Sequence, residues 1–268
     1  MELPRNRFKQ ALAEGGPLYG LWLGLPDASV AELAGGAGFD WLLIDHEHGP
    51  FELRDVMHHL QAIAPYPVAP IVRPVEGNPA LLKKMLDIGV QTFLIPMVET
   101  AEQAQELVSA VLYPPAGTRG LGTSMARAAQ WNRVPGYLKK ANDEICLLLQ
   151  VETASAMKNI DAILAVEGVD GVFIGPSDLS ASMGHIGDAA HPEVREAIAS
   201  GLASIKRADK IAGLLCMDPA LVEDYVAQGA EFVGVGVDTL ILGQGMVKLA
   251  QQFKTGKSPA DEKPQAGY

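Results

Sequence analysis

A closed (β/α)8 barrel is the fold this sequence predicts, and three observations carry that expectation. Short apolar runs alternate with longer stretches of helical period from near the N-terminus to about residue 256, the pattern of repeated strand–helix units. The runs number eight, more than the roughly five to seven strands common in open doubly wound sheets, and each is apolar almost throughout, as strands covered on both faces are. At 268 residues the chain has the length of one such barrel, typically about 250 residues.

Taken in order, residues 7–14 predict a short helix closing the barrel's lower end. Strands are expected at 19–25, 41–45, 68–73, 92–97, 145–152, 171–175, 212–216 and 232–237, each rich in Leu, Ile, Val or Phe. Helices are expected at 28–37, 53–64, 79–88, 101–112, 155–166, 192–208, 219–228 and 240–253. Several are punctuated as helices should be, with Asn78 before one and Gly89 after it, and Asp218 before another and Gly229 after it. Residues 1–256 therefore read as a single barrel, and 257–268, with two prolines and no apolar stripe, as a disordered tail.

The 21 Lys and Arg against 32 Asp and Glu give a net charge of −11, and no basic cluster interrupts it, so no nucleic-acid partner is expected. No apolar run reaches the roughly 18 residues that span a bilayer, and no signal-like stretch follows the N-terminus, so no membrane partner and a cytoplasmic location are expected. Cys146 and Cys216 lack disulfide, zinc or redox spacing and read as reduced core residues. Residues 113–144 are too long for a plain connection. Their basic, glycine-bearing stretch around Arg119, with Arg127, Trp131 and Arg133, could receive an anionic substrate above the barrel mouth or form a surface loop tied down by Trp131.

Barrel enzymes carry reactive groups at the C-terminal ends of their strands. Here strand 1 contributes Trp22, strand 2 ends in Asp45-His46-Glu47-His48, strand 3 in Arg73, strand 5 in Gln150-Val151-Glu152, strand 6 in Gly175-Pro176-Ser177-Asp178, strand 7 near Leu215, and strand 8 at Asp238. Glu152 and Asp178 are candidate metal ligands. Carboxylates on adjacent strand ends repel unless a cation sits between them, and oxygen donors suit Mg2+ or Mn2+, with Co2+ also accommodated. Either acid could instead cap a helix or pair with a lysine. Arg73 leaves a buried strand into the mouth, where a planar permanent cation suits an enolate, keto or carboxylate oxygen, or a salt bridge to a strand-end acid. His48 lies just past strand 2, and an imidazole is the natural proton shuttle there, while His58, His59, His185 and His191 read as solvated loop residues. None of the eight runs contains lysine, which argues against Schiff-base chemistry; no nucleophile elbow or dinucleotide fingerprint is present, and no organic cofactor is expected. A metal, an arginine and a histidine suit chemistry on a 2-oxo acid.

On its motifs the chain resembles the HpcH/HpaI family of metal-dependent, pyruvate-using class II aldolases. The matches are Trp-Leu-Leu-Ile-Asp-His-Glu-His at 41–48, Val-Arg-Pro at 72–74, Leu-Asp-Ile-Gly-Val-Gln-Thr at 86–92, Pro-Met-Val-Glu at 96–99 and Gly-Thr-Arg-Gly-Leu-Gly at 117–122. Further matches are Gln-Val-Glu-Thr at 150–153, Ile-Gly-Pro-Ser-Asp-Leu-Ser at 174–180 and Val-Gly-Val-Asp-Thr at 235–239. The group it is most similar to comprises aldolases of 4-hydroxy-2-oxoheptanedioate and of 2-keto-3-deoxy sugar acids. The resemblance implies a TIM barrel of the phosphoenolpyruvate/pyruvate type, reversible cleavage of 4-hydroxy-2-oxo acids to pyruvate and an aldehyde, and one divalent ion per subunit on Glu152 and Asp178. It also implies that Gln150 and Ser177 bind the keto acid, that Arg73 stabilises the enolate, that Asp45 belongs to the same catalytic group, and that His48 handles the proton of the C4 hydroxyl. It pairs His48 with Asp87 of a neighbouring subunit, in a homo-hexamer of dimers that exchange their last helix. Residues 239–253 are apolar enough for that exchange and equally for packing on their own barrel. Trp22, Leu215 and Val237 would line the aldehyde pocket and Arg127 would meet a polar aldehyde. One departure is His46, where the family more often has a small residue.

Two other readings use the same residues differently: oxaloacetate decarboxylation or acyl-CoA lysis on the same metal site, and a catalytically inert ligand-binding barrel. A basic groove would mark the acyl-CoA reading, and loss of a strand-end polar group the inert one.

Overall fold

The computed structural model describes residues 2–255, so the expected tail at 257–268 lies outside the described residues. Eight parallel strands close into a barrel in sequence order: β1 (Leu18–Leu23), β2 (Trp41–Asp45), β3 (Ala69–Arg73), β4 (Thr92–Ile95), β5 (Cys146–Val151), β6 (Gly171–Ile174), β7 (Ile211–Leu215) and β8 (Phe232–Val237). The helices are α1 (Arg7–Glu14), α2 (Ala28–Gly35), α3 (Leu53–Ile63), α4 (Pro79–Ile88), α5 (Ala101–Val111), α6 (Tyr137–Lys140), α7 (Ala154–Lys158), α8 (Ile160–Leu164), α9 (Pro176–Ser182), α10 (Pro192–Arg207), α11 (Pro219–Ala227) and α12 (Asp238–Thr255). The expected single helix over 155–166 is broken at Asn159, whose side chain donates to the carbonyl of Glu99 (2.8 Å) instead of continuing the turn. The short helix α6 lies inside the long segment at 113–144, where no helix is expected.

Side chains alternate in and out along each strand, and the inward set fills the barrel. Trp22, Trp41, Phe173 and Phe232 pack there at centroid distances of 5.6–5.9 Å, and Phe8 of α1 meets Phe232 edge-on at 5.4 Å, closing the lower end. Asn6 caps α1, accepting from the N–H groups of Phe8 and Lys9, and donates to Thr92 Oγ1 (3.0 Å) at the start of β4. Gly20 makes room for the aromatic layer, because a Cβ at that position would collide with the Trp41 indole. Outward-facing Leu, Ile and Val of the strands meet the apolar stripes of the surrounding helices in a second, larger core. Cys146 belongs to the interior, as expected, whereas Cys216 is only half-buried beyond the end of β7.

The inward parity that packs the core continues upward into polar residues: Trp41, Leu43 and Asp45 on β2; Ala69, Ile71 and Arg73 on β3; Cys146, Leu148 and Gln150 on β5, then Glu152. Aromatic packing below therefore fixes which residues reach the mouth. The long segment after α5 runs at the opposite end. It leaves the C-terminus of a helix and returns to the start of β5, both on the lower side of the barrel. Arg127 donates to the carbonyl of Ile88 (2.8 Å) and lines a lower-face cavity of about 330 Å3 with Asn6, Gln91 and Arg119. Within its own chain, Arg127 thus does not meet the mouth, correcting the expectation. Trp131 is half-exposed under the Arg133 guanidinium (5.3 Å) and does not anchor the loop.

Beyond β8, α12 runs away from its own barrel. Asp238 anchors its start by accepting from the N–H groups of Gly24 (2.8 Å) and Leu25 (3.1 Å). Past that point Ile241, Leu242, Met246, Val247, Leu249 and Phe253 are all exposed, an apolar row that this chain leaves uncovered.

Candidate active site

Asp45 and Arg73 are partners in the parallel register of β2 and β3 and both point inward. Arg73 Nε donates to Asp45 Oδ1 (2.9 Å) and Nη2 to Oδ2 (2.7 Å), a two-point pair at the bottom of the mouth. Glu47 Oε2 lies 3.0 Å from the same Nε. Burial opposes the charge on Arg73, but the bonds and charges of Asp45, then Glu47 and Glu152, more than offset it. Asp45 Oδ1 also accepts from the N–H groups of Glu47 and His48 (3.2 and 3.3 Å), shaping the turn that carries His48. His48 itself is exposed, with Nε2 3.7 Å from Glu47 Oε2.

Glu152 is buried at the end of β5. Its Oε1 accepts from the N–H of Met97 (2.9 Å), and its Oε2 accepts from Gln150 Nε2. Met97 has φ +56°, a left-handed conformation costing a non-glycine residue on the order of 1 kcal/mol. That conformation accompanies the aim of its N–H at the carboxylate. Gly175 provides the space opposite, since a Cβ there would lie 2.5 Å from Glu152 Oε2 and 2.8 Å from its Cβ. Burial, reinforced by the charges of Asp178 and Glu47, pushes the Glu152 carboxyl up to about 7. Glu47 is raised for the same leading reason, with Arg73 and His48 working against the shift.

These residues open into a cavity of about 790 Å3. Of the residues singled out from the sequence, Trp22, Asp45, His48, Arg73, Gln150, Ser177, Asp178, Leu215 and Val237 line it, with Glu152 bonded to Gln150. Asp87 does not. It sits near the lower end of α4, half-buried, 3.4 Å from the buried Arg119 Nη2, whose guanidinium lies over Tyr113 (4.2 Å). Glu47 was missed as a site residue, although it shares the strand-end tetrad with two that were chosen. His59 is corrected: it is fully buried on α3 with its nitrogens 2.9 and 3.1 Å from the carbonyls of Asp55 and Leu25. His46 has a buried, unpartnered Nδ1, and burial lowers its pKa against the pull of Glu52 and Asp45.

The donor set fits a hard divalent cation. Beyond burial, the charge of Asp178 raises the proton affinity of both Glu152 and Glu47, that of Glu47 adds to the rise at Glu152, and Gln150 Oε1 is buried without a partner. Asp178 on the cavity wall, Glu152 bonded to Gln150, Glu47 beside Arg73 and an orphaned amide oxygen make an oxygen-only cradle, which favours Mg2+ or Mn2+ over thiolate-seeking ions.

The model of the HpcH/HpaI aldolase/citrate lyase family matches residues 18–243, nearly the whole barrel. The chain belongs to that family. It is 54% identical over 268 residues to a hydroxypyruvate/pyruvate aldolase of Pseudomonas aeruginosa, covering 100% of both chains. It is 52% identical over 258 residues to a 2-keto-3-deoxy-L-rhamnonate aldolase of Klebsiella pneumoniae (96% and 97% covered), and 54% over 248 residues to a 4-hydroxy-2-oxo-heptane-1,7-dioate aldolase of Shigella sonnei (92% and 95%). A solved structure of a family member from Burkholderia cenocepacia superposes with a TM-score of 0.89 at 39% identity, covering 93% of this chain and 100% of that one. This HpcH/HpaI protein is an aldolase, a carbon–carbon lyase that depends on a divalent metal cation and acts on small molecules. Among the described residues, no helix is long and apolar enough to cross a membrane.

Proposed function

We propose that this aldolase cleaves 4-hydroxy-2-oxo acids to pyruvate and an aldehyde and runs the reverse addition, with Glu152 and Asp178 holding Mg2+ or Mn2+, and Co2+ as a substitute. The observation that carries this reading is the Arg73 guanidinium, fixed by Asp45 at 2.7 and 2.9 Å beside an oxygen-only cradle with an unpartnered Gln150 Oε1. When bound, the ion supplies Lewis-acid chemistry at the carboxylate and 2-oxo oxygens of the substrate.

The chain's own residues do the rest. Gln150 bonds to the keto acid, and the N–H groups of Ser177 and Asp178, in the first turn of α9, receive its carboxylate. His48 takes the proton from the C4 hydroxyl. The C3–C4 bond breaks, its electron pair becomes the C2–C3 π bond as the keto π electrons move to the C2 oxygen, and C4 leaves as the aldehyde carbonyl. Arg73 faces that oxygen, where negative charge grows, and stabilises it with a cation already in place. A proton returned to C3 yields pyruvate. Trp22, Leu215 and Val237 form the apolar wall on the aldehyde side.

Asp87 lies at the opposite end of the barrel from His48, so the pairing implied by the family requires another copy of the chain. The uncovered apolar row of α12 supports the same reading: a homo-oligomer, hexameric as a trimer of dimers, with the last helix exchanged. Arg127, on that lower face, would meet an aldehyde in a neighbour's site rather than its own. Acyl-CoA lysis is disfavoured because Arg73, already paired, is the one Lys or Arg among the residues lining the cavity.

Enolate formation tests the proposal without an aldehyde. In D2O with Mn2+ or Mg2+, the pyruvate methyl group is expected to take up deuterium, read by proton NMR, and Arg73→Ala is expected to abolish the uptake. Equal deuteration by the Arg73→Ala variant would overturn the role given to the guanidinium.

A further inference from the structure

We propose that His185, His191 and Glu193 form a second metal site, outside the barrel mouth, that takes a nitrogen-preferring first-row ion such as Zn2+. It does not depend on the aldolase mechanism, and it uses two histidines that the sequence assigns to solvated loops.

The geometry is built by the segment between α9 and α10. The N–H of His185 donates to the carbonyl of Ser180 (2.7 Å), that of Asp188 to the carbonyl of His185 (2.9 Å), and that of His191 to the carbonyl of Asp188 (3.1 Å). Three backbone bonds thus fold the loop so that its two ends meet. Pro192 opens α10 and keeps His191 out of the helical region, at φ −53° and ψ 137°, as the residue before a proline is. The imidazoles of His185 and His191 stack at 3.6 Å with 13° between their planes, and His185 Nε2 lies 2.9 Å from Glu193 Oε2. One ligand atom from each of the three residues lies within 4.8 Å of the others. In a tetrahedral site with bonds near 2.0–2.1 Å, ligand atoms sit roughly 3.3 Å apart, so closure needs the ligand atoms to approach by up to about 1.5 Å and the stacked rings to swing apart until their in-plane lone pairs converge.

The electrostatics favour a cation there. Glu193 stays ionised because its bond to His185 and that ring's charge lower its pKa. No lysine or arginine occurs between Lys158 and Arg195, and Arg195 is directed to Asp224 (3.5 Å). Two imidazole nitrogens and one carboxylate are the donor set of zinc and its neighbours, unlike the oxygen-only cradle at the mouth. The ion would pin a functional wall: Gly187, Asp188, Ala189 and Ala190 line a cavity of about 110 Å3 together with Pro176, Ser177 and Leu215.

The test uses tag-free, chelator-stripped protein in the Glu152→Ala background, so that the mouth does not dominate the count, and measures zinc retained after equilibrium dialysis. His191→Asn keeps an acceptor for the Glu193 N–H that now bonds to His191 Nδ1 (3.3 Å), so α10 stays capped while the imidazole is lost. His185→Gln removes the other ring. One equivalent of zinc per chain is expected with Glu152→Ala alone, and loss of that equivalent when either histidine change is added. Wild-type protein saturated with Mg2+ should show the same loss, and Cu2+ in place of zinc should give an EPR signal coupled to two nitrogens. Failure of the Glu152→Ala protein to retain zinc would overturn the proposal, as would equal retention after His191→Asn.

Discussion

The carboxylate of Asp45 and the guanidinium of Arg73 meet twice, at 2.9 and 2.7 Å, across two strands whose register makes these residues direct partners. The same Asp45 oxygen that binds Nε accepts from the N–H groups of Glu47 and His48, so one side chain orients both the Arg73 guanidinium and the turn that carries His48. Asp45→Asn keeps the turn but weakens the grip on Arg73. It is predicted to lower kcat about 10²-fold with little change in KM, and Arg73→Lys, which cannot make a two-point pair, by about 10²- to 10³-fold. Steady-state kinetics check both; a wild-type kcat for either variant contradicts the arrangement.

Gly175 is where a single methyl group should matter most. A Cβ there would press on the Glu152 carboxylate at 2.5 Å. Gly175→Ala is therefore predicted to keep its far-ultraviolet circular dichroism while losing tight Mn2+ binding, measured by calorimetry. Unchanged Mn2+ affinity would mean that Glu152 does not occupy the position described.

Stability of the metal-stripped protein should depend on pH through Glu152. Its carboxyl stands at about 7 when folded, against an ordinary value of 4.5. The folded chain keeps a proton that the unfolded chain has released, so this contribution is complete below about pH 4.5 and vanishes as the pH rises through 7. At about 1.4 kcal/mol per unit, roughly 3 kcal/mol is at stake. Thermal melts in chelator are predicted to fall in Tm from about pH 5 to about pH 8, with most of that slope absent in Glu152→Gln. Saturating Mg2+ should restore the wild-type Tm at the upper end; a flat profile in chelator contradicts the assignment.

The distance between Asp87 and its own mouth makes a mixing experiment informative. His48→Ala and Asp87→Ala are each predicted to be nearly inactive alone. Dissociated, mixed and reassembled, they should recover part of the activity, because some interfaces then carry an intact His48 opposite an intact Asp87. No recovery from a mixture that has demonstrably reassembled contradicts the shared site.

The architecture was legible because barrel strands are short, continuous and apolar, and because their inward parity carries straight into Asp45, Arg73, Gln150 and Glu152. The break at Asn159 was not, since a side-chain bond to a distant carbonyl, at Glu99, leaves no mark on local periodicity. His59 was misread for the same reason: its two carbonyl partners come from α3 and from the β1–α2 loop. Arg127 was placed above the mouth although a geometric signal against it existed. A segment joining a helix to the following parallel strand begins and ends on the strand's N-terminal side, opposite the reactive ends. Met97 falls within the 96–99 motif, but its role was not legible from its residue type, because its contribution is a backbone N–H set by a left-handed residue.

The central claim is that Glu152 and Asp178 hold a divalent ion on which carbon–carbon cleavage depends. Coupled pyruvate release from a 4-hydroxy-2-oxo acid, run on chelator-stripped protein with and without Mn2+ or Mg2+ beside Glu152→Ala, tests it most directly. Pyruvate is predicted only when metal is added, and none from the variant. Release that persists in chelator, or a Glu152→Ala protein as active as the wild type, would contradict it.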